Sequence, residues 1–438
     1  MLLNAADKAL WRLALPMIFS NITVPLLGLV DTAVIGHLDS PVYLGGVAVG
    51  ATATSFLFML LLFLRMSTTG LTAQAWGAKV PQRLARALVQ PLALALGAGV
   101  LIILLRLPLI DLALHIVGGS EAVLEQARRF LEIRWLSAPA SLANLVLLGW
   151  LLGVQYARAP VILLVVGNLL NIVLDLWLVM GLRMNVQGAA LATVTAEYAT
   201  LIIGLLMAKR VLTLRGVSLA MLKNAWRGDL RRLLALNRDI MLRSLLLQLC
   251  FGALTVFGAR LGSDIVAVNA VLMTMLTFTA YALDGFAYAV EAHSGQAYGA
   301  RDGSQLLEVW RAACRQSGMV ALAFALIYSL AGQYIIALLT SLPSLQQLAD
   351  RYLIWQTILP VVGVWCYLLD GMFIGATRGA EMRNSMAVAA AGFAVTLLTL
   401  PVLGNHGLWL ALAVFLALRG LSLALIWRRH WRRGTWFS

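Results

Sequence analysis

Six carboxylates of this chain lie inside apolar stretches: Asp31, Asp175, Glu197, Asp284, Glu291 and Asp370. A charged side chain within a bilayer core is costly unless it is protonated, paired or hydrated, so each is a candidate for proton or cation handling. Asp31 follows Pro16 and Pro25 on a single apolar run. Each proline removes a backbone hydrogen bond and makes a bend there cheap, so the two are hinge candidates whose bend the protonation of Asp31 can bias. Asn168, Asn171 and Asp175 recur at i, i+3, i+7, one face of a helix. Asp31 with Asn171 and Asp175 would form a buried carboxylate pair supplemented by an amide. Two such acids in a low dielectric repel each other's charge, and a proton can then be held on one side of the membrane and released on the other. The static alternative is an ion pair of one of these acids with Arg65. Tyr281, Asp284, Tyr288 and Glu291 form a second stripe at i, i+3, i+7, i+10 that can line a cleft and attract a cation. Its static alternative pairs Asp284 or Glu291 with Arg243. Asp370 is likewise either a cleft residue or a partner of Arg419, while Glu197 and Asn21 read as packing polar groups.

The elements that position these residues are membrane-spanning helices. Hydrophobic residues make up 61% of the chain, charged residues 12%, and the mean hydropathy is +0.88, outside the range of a soluble domain. Apolar runs long enough to cross a bilayer fall near 13–36, 44–66, 88–110, 131–153, 161–181, 186–208, 236–258, 266–292, 317–340, 352–375, 385–403 and 407–427, with room for an amphipathic helix in 111–130. The expected fold is an all-α polytopic membrane protein of twelve helices in two pseudo-symmetric six-helix lobes. A repeat supports the two lobes. Gln74-Ala-Trp-Gly-Ala-Lys79 returns as Gln296-Ala-Tyr-Gly-Ala-Arg301, 222 positions on, and the same offset links Gly149 to Gly371 and Gly153 to Gly375. The lobes are placed at 1–215, ending in a basic cytoplasmic linker, and 216–438, ending in a basic cytoplasmic tail. An even number of spans per lobe makes the repeat parallel, with the solute cleft expected between lobes near the midplane. At this offset Asp31 falls on Phe251-Gly252-Ala253, so the scaffold is duplicated and the acid is not.

The net charge of +14 follows topology rather than a nucleic-acid surface. With both termini cytoplasmic, 23 of the 33 Lys and Arg lie inside, 7 outside and three within the membrane, as the positive-inside rule requires. No nucleic-acid motif accompanies them. Cys250, Cys314 and Cys366 make no disulfide framework or metal cluster. No HExxH, GxSxG or P-loop sequence is present, so no catalytic residues are assigned and the chain is read as a transporter rather than an enzyme. No cofactor is expected.

These residues together resemble the MATE (multidrug and toxic compound extrusion) family, in particular its DinF-type branch. The resemblance covers essentially the whole chain. It is carried by Pro16, by Val30-Asp31-Thr-Ala-Val-Ile-Gly36-His37, by both Gln-Ala-aromatic-Gly-Ala signatures, by Asp284-Gly-Phe-Ala with Glu291 and Gly295, and by Leu369-Asp370-Gly371. It implies multidrug efflux by antiport with H+ or Na+ through alternating access, the cargo being small amphipathic or cationic organic compounds. It also implies protonation at Asp31, bending at Pro16, and a site completed by Asn171, Asp175 and Thr193. The same four residues can hold Na+, although no acid stands around Leu245 to Gln248, which weakens a sodium site in the second lobe and favours H+. The expected setting is the bacterial inner membrane, as a multi-pass monomer. The alternatives are a Na+-coupled antiporter and a flippase for lipid-linked oligosaccharides, the latter disfavoured because the cavity candidates are acidic.

Overall fold

The computed structural model describes residues 4–36, 38 and 40–438, with side chains throughout these except at 23–33. Twelve long helices follow one another: α1 Ala5–Gly36, α2 Pro41–Ala78, α3 Pro81–Leu104, α4 Glu121–Gly153, α5 Arg158–Gly181, α6 Asn185–Leu214, α7 Leu230–Arg260, α8 Ser263–Ala300, α9 Gly303–Leu339, α10 Pro343–Gly375, α11 Gly379–Leu403 and α12 Asn405–Arg433. Eleven of them, α2 to α12, are long and apolar enough to cross a bilayer among the described residues. At about 1.5 Å per residue, the 32 residues of α1 reach as far. The fold is therefore an all-α polytopic membrane protein. Large apolar side chains stand fully outward, Leu338 at 87% and Val402 at 86% exposure. In water such a surface would be a liability; against lipid it is the matching solvent.

The helices are longer than the hydropathy runs and not all regular. α2 breaks into a turn at Leu61–Leu62, between Pro41–Leu60 and Phe63–Ala78. The polar stretch 111–130 falls within two helices, Arg106–Val117 and Glu121–Arg134, the second capped by Ser120 accepting from Val123 N. α1 opens with a reciprocal cap in which Asp7 N donates to Asn4 Oδ1 at 2.8 Å and Asn4 N to Asp7 Oδ2 at 3.2 Å.

The chain forms two compact units, residues 22–234 and residues 1–21 with 235–438. The boundary cuts α1 between Asn21 and Ile22, so Pro16 belongs to the second unit and Pro25 to the first. Within the second unit the start of α1 is fastened to α8 and α9. Trp11 Nε1 donates to Gln316 Oε1 at 3.0 Å and its ring meets Phe286 edge-on at 5.0 Å. Arg315 pairs with the buried Asp7 at 3.0 Å, and Asn21 Nδ2 donates to Tyr281 O at 3.2 Å.

The repeat read in the sequence is a repeat of packing. A Cβ on Gly149 would stand 2.5 Å from Arg65 O, and one on Gly371 2.6 Å from Ala287 O; Ala287 is Arg65 shifted by the same 222 positions. Gly153 similarly faces Thr72, and Gly375 faces Ser294, the shifted position. In each unit glycine lets two helix backbones touch, which holds helices together where lipid supplies no hydrophobic drive. The signature hexapeptides end alike, Lys79 and Arg301 both taking left-handed conformations (φ 58° and 53°) that close the helix C-terminus.

Candidate functional site

In the first unit, α5 places Asn171 at 2% and Asp175 at 1% exposure, one turn apart on its inward face, with Asn168 half-buried a turn earlier. Asn171 Oδ1 accepts no hydrogen bond among the described residues. Regular α-helix stops at Asp175. Leu176–Gly181 continues as a π-helix, where Leu182 N reaches Trp177 O at 2.8 Å. A π turn carries an extra residue per turn, loosens the backbone ladder, and recurs at functional sites in helical proteins. Here it follows directly on the buried acid and turns Leu178 and Val179 inward while Leu176, Trp177 and Met180 face out.

α6 packs along α5 and carries the half-buried Thr193, whose Oγ1 donates back to Ala189 O at 3.1 Å. Three of the residues expected at one site, Asn171, Asp175 and Thr193, thus lie on two adjacent helices. The side chains of Asp31 and Pro25 lie outside the described residues. Arg65, at 3% exposure on α2, donates through Nη1 to Thr69 Oγ1 at 3.3 Å. Glu197 is engaged with α4: Asn144 Nδ2 donates to its Oε2 at 3.0 Å and to its backbone O at 3.1 Å.

In the second unit, α8 holds Tyr281, Asp284 and Tyr288 half-buried and Glu291 at 2% exposure. Asp370, on α10, is the centre of an ionic triad. Arg243 of α7 donates through Nη2 to Asp370 Oδ2 at 2.6 Å, and Arg419 of α12 donates to the same oxygen. All three are less than a tenth exposed. Of the static alternatives, the Asp370–Arg419 pair is present, and Arg243 joins it. Two further buried acids escaped the sequence reading: Asp7, which precedes the first apolar run, and Asp239, which lies at the edge of the run 236–258. Asp7 pairs with Arg315, and Asp239 pairs with Arg383 at 2.6 Å and with Arg238 at 3.3 Å. The Asn4-x-x-Asp7 capping spacing was the signal available for the first.

The arrangement gives two settings for a buried carboxylate. Asp370 ties three helices by fixed charge-assisted hydrogen bonds. Asp175 stands one turn from the amide of Asn171, where regular α-helix gives way to the π turn.

The sequence profile of the MatE family matches residues 16–177 and again 240–403, once in each half. The DNA damage-inducible protein F of Escherichia coli (strain K12) is 87% identical over 436 residues, covering 100% of this chain and 95% of that protein. The probable multidrug resistance protein NorM of Acinetobacter baylyi (strain ATCC 33305 / BD413 / ADP1) is 23% identical over 431 residues, covering 96% and 94%. A crystal structure of MATE in the bent conformation superposes with a TM-score of 0.84 at 23% identity, covering 98% of this chain and 96% of that one.

Proposed function

Because this chain belongs to the MatE family of transporters, we propose that it exports small amphipathic or cationic organic compounds across the bacterial inner membrane in exchange for H+. It does so as a monomer with both termini in the cytoplasm. Asp31, Asn171, Asp175 and Thr193 form the coupling site. Pro16 and Pro25 give α1 its bend, and Asn168, Tyr281, Asp284, Tyr288, Glu291 and Asp370 contribute to substrate recognition or to the scaffold around it.

The observation that carries this reading is the burial of Asn171 and Asp175 beside a π turn in an otherwise apolar unit. Protonation of the Asp31–Asp175 pair removes a buried charge, favours the bent form of α1, and releases the exported compound outward. The driving force is sufficient. One charge moving through about 100 mV releases about 2.3 kcal/mol, close to a fiftyfold concentration ratio, before any pH gradient is added. Na+ at the same four residues is the second coupling scheme.

Efflux of a cationic dye from proteoliposomes, driven first by a proton gradient alone and then by a sodium gradient alone, tests the proposal. The parent is expected to respond to the proton gradient, and Asp31→Asn and Asp175→Asn to lose that response. A parent that responds to sodium alone, or an Asp31→Asn variant that transports as the parent does, overturns the proton scheme.

A further inference from the structure

The first unit also holds a basic cavity that the transport reading does not use. It has a volume of about 50 Å3 and is lined by Arg83, Arg86 and Gln90 at the start of α3, by Asp229 of the segment leading into α7, and by Arg232 in the first turn of α7. The segment is fastened there. Gln90 Nε2 donates to Gly228 O at 2.6 Å and to Trp226 O at 3.2 Å. Gly228 takes φ 94° and Asp229 φ 41°, and a Cβ on Gly228 would lie 3.3 Å from an Arg86 terminal nitrogen, so the guanidinium rests against the Gly228 backbone. Arg83 lies within electrostatic reach of Arg86, Arg232 and Asp229. Arg232 also reaches Gln74 Oε1, at 3.5 Å. Arg86 Nε is buried and makes no hydrogen bond among the described residues.

Three guanidiniums therefore share one cavity with one carboxylate. The positive-inside rule asks for cations on this side of the membrane, but not for their convergence, which is unfavourable in a partly closed space unless an anion completes it. A guanidinium offers a planar fork of donors matched to phosphate oxygens. Arg83 stands two residues after the start of a helix long and apolar enough to cross a membrane, the part of such a helix where lipid headgroups are met.

We propose that this cavity binds a phosphate-bearing anion, either the phosphodiester of an anionic lipid or a free phosphate compound, held between Arg83 and Arg86 on α3 and Arg232 in the first turn of α7. The anion would pin the start of α7 to α3 two residues before Leu234, where the first unit ends. Occupancy then sets how firmly the link between the two units is anchored.

The test uses the full-length protein in nanodiscs of phosphatidylcholine alone, in phosphatidylcholine with phosphatidylglycerol, and in phosphatidylcholine with inorganic phosphate or pyrophosphate added. Arginine labelling by phenylglyoxal is mapped residue by residue. Protection of Arg83, Arg86 and Arg232, but not of Arg210 or Arg428, is expected in one of the anionic conditions, and the condition identifies the source. Losing one charge-assisted contact in Arg86→Gln should weaken protection about tenfold or more, whereas Lys209→Gln, outside the cavity, should not. Arg232→Gln, at an exposed position, gives the same reading should Arg86→Gln fold poorly. No selective protection by either source, or equal weakening by Lys209→Gln, overturns the proposal.

Discussion

The two halves share their backbone contacts and differ in what their buried acids do. In both, glycines at equivalent positions bring a pair of helices into backbone contact at equivalent partners. The polar interior, by contrast, was not copied. Asp370 in the second unit is bound by two arginines from two other helices, whereas the equivalent position in the first unit is Leu148. Asp175 and Asn171 in the first unit correspond to Leu397 and Phe393 in the second. α11 also leaves regular geometry at this register, but as a 3-10 turn at Leu397–Thr399 without an acid. Duplication preserved the constraints that every copy must satisfy, close helix approach and helix ends. It left the placement of buried charge free, and the two halves placed theirs on different helices and in different settings.

The strongest test of this contrast replaces each acid by its neutral isostere. Asp370→Asn leaves two buried guanidiniums without a countercharge and should cost about 3–5 kcal/mol of stability, read from thermal unfolding in detergent. Replacing all three members by apolar residues of similar volume should recover most of that loss. Asp175→Asn should cost less stability than Asp370→Asn, which strands two guanidiniums, while proton-driven efflux is lost. Equal destabilisation by the two variants would make Asp175 a structural acid and end the distinction.

A second test addresses the shared scaffold. Gly149→Ala and Gly371→Ala each place a methyl group against a backbone carbonyl, 2.5 Å and 2.6 Å away, where no side chain can give way. Each should cost about 1–3 kcal/mol, and by similar amounts. Loss at Gly371 alone would mean that the α2–α4 contact in the first unit relaxes in a way that α8–α10 does not.

These comparisons also mark what the sequence could reveal. The repeat register was legible because glycine at a helix contact and the Gln-Ala-aromatic-Gly-Ala ending are local demands that leave fixed letters. The twelve apolar runs were legible because a bilayer imposes length and hydropathy together. The triad was legible only in part: the Asp370–Arg419 pair stood among the alternatives, but Arg243 joining it did not, because which acid an arginine meets depends on the rotation of each helix about its axis, which hydropathy does not encode. The turn at Leu61–Leu62 falls within Phe58-Met-Leu-Leu-Leu-Phe63, with no glycine or proline to announce it. The π turn after Asp175 is equally silent until Gly181. The burial of Asn171 and Asp175 was legible from their spacing, since one polar face on an apolar helix has to turn inward.

The finest comparison lies where α4 and α10 end. Gln155 and Thr377 occupy equivalent positions, both left-handed, with φ 62° and 54°. In both halves the next residue closes the turn, Tyr156 N to Leu151 O at 2.9 Å and Arg378 N to Phe373 O at 3.0 Å. A non-glycine residue in this region is strained by about 1–2 kcal/mol, and a β-branched one is a stronger outlier than a straight chain. Thr377→Gly should therefore stabilise by about 1 kcal/mol and Gln155→Gly by about half as much, net of the extra unfolded-state freedom of glycine. Thr377 also has a local compensation, its hydroxyl donating to Ala376 O at 2.7 Å. If thermal unfolding shows Thr377→Gly to be destabilising while Gln155→Gly stabilises, that hydroxyl holds the end of α10. The two halves would then reach the same turn by different means, and the copied scaffold would be less uniform than its backbone.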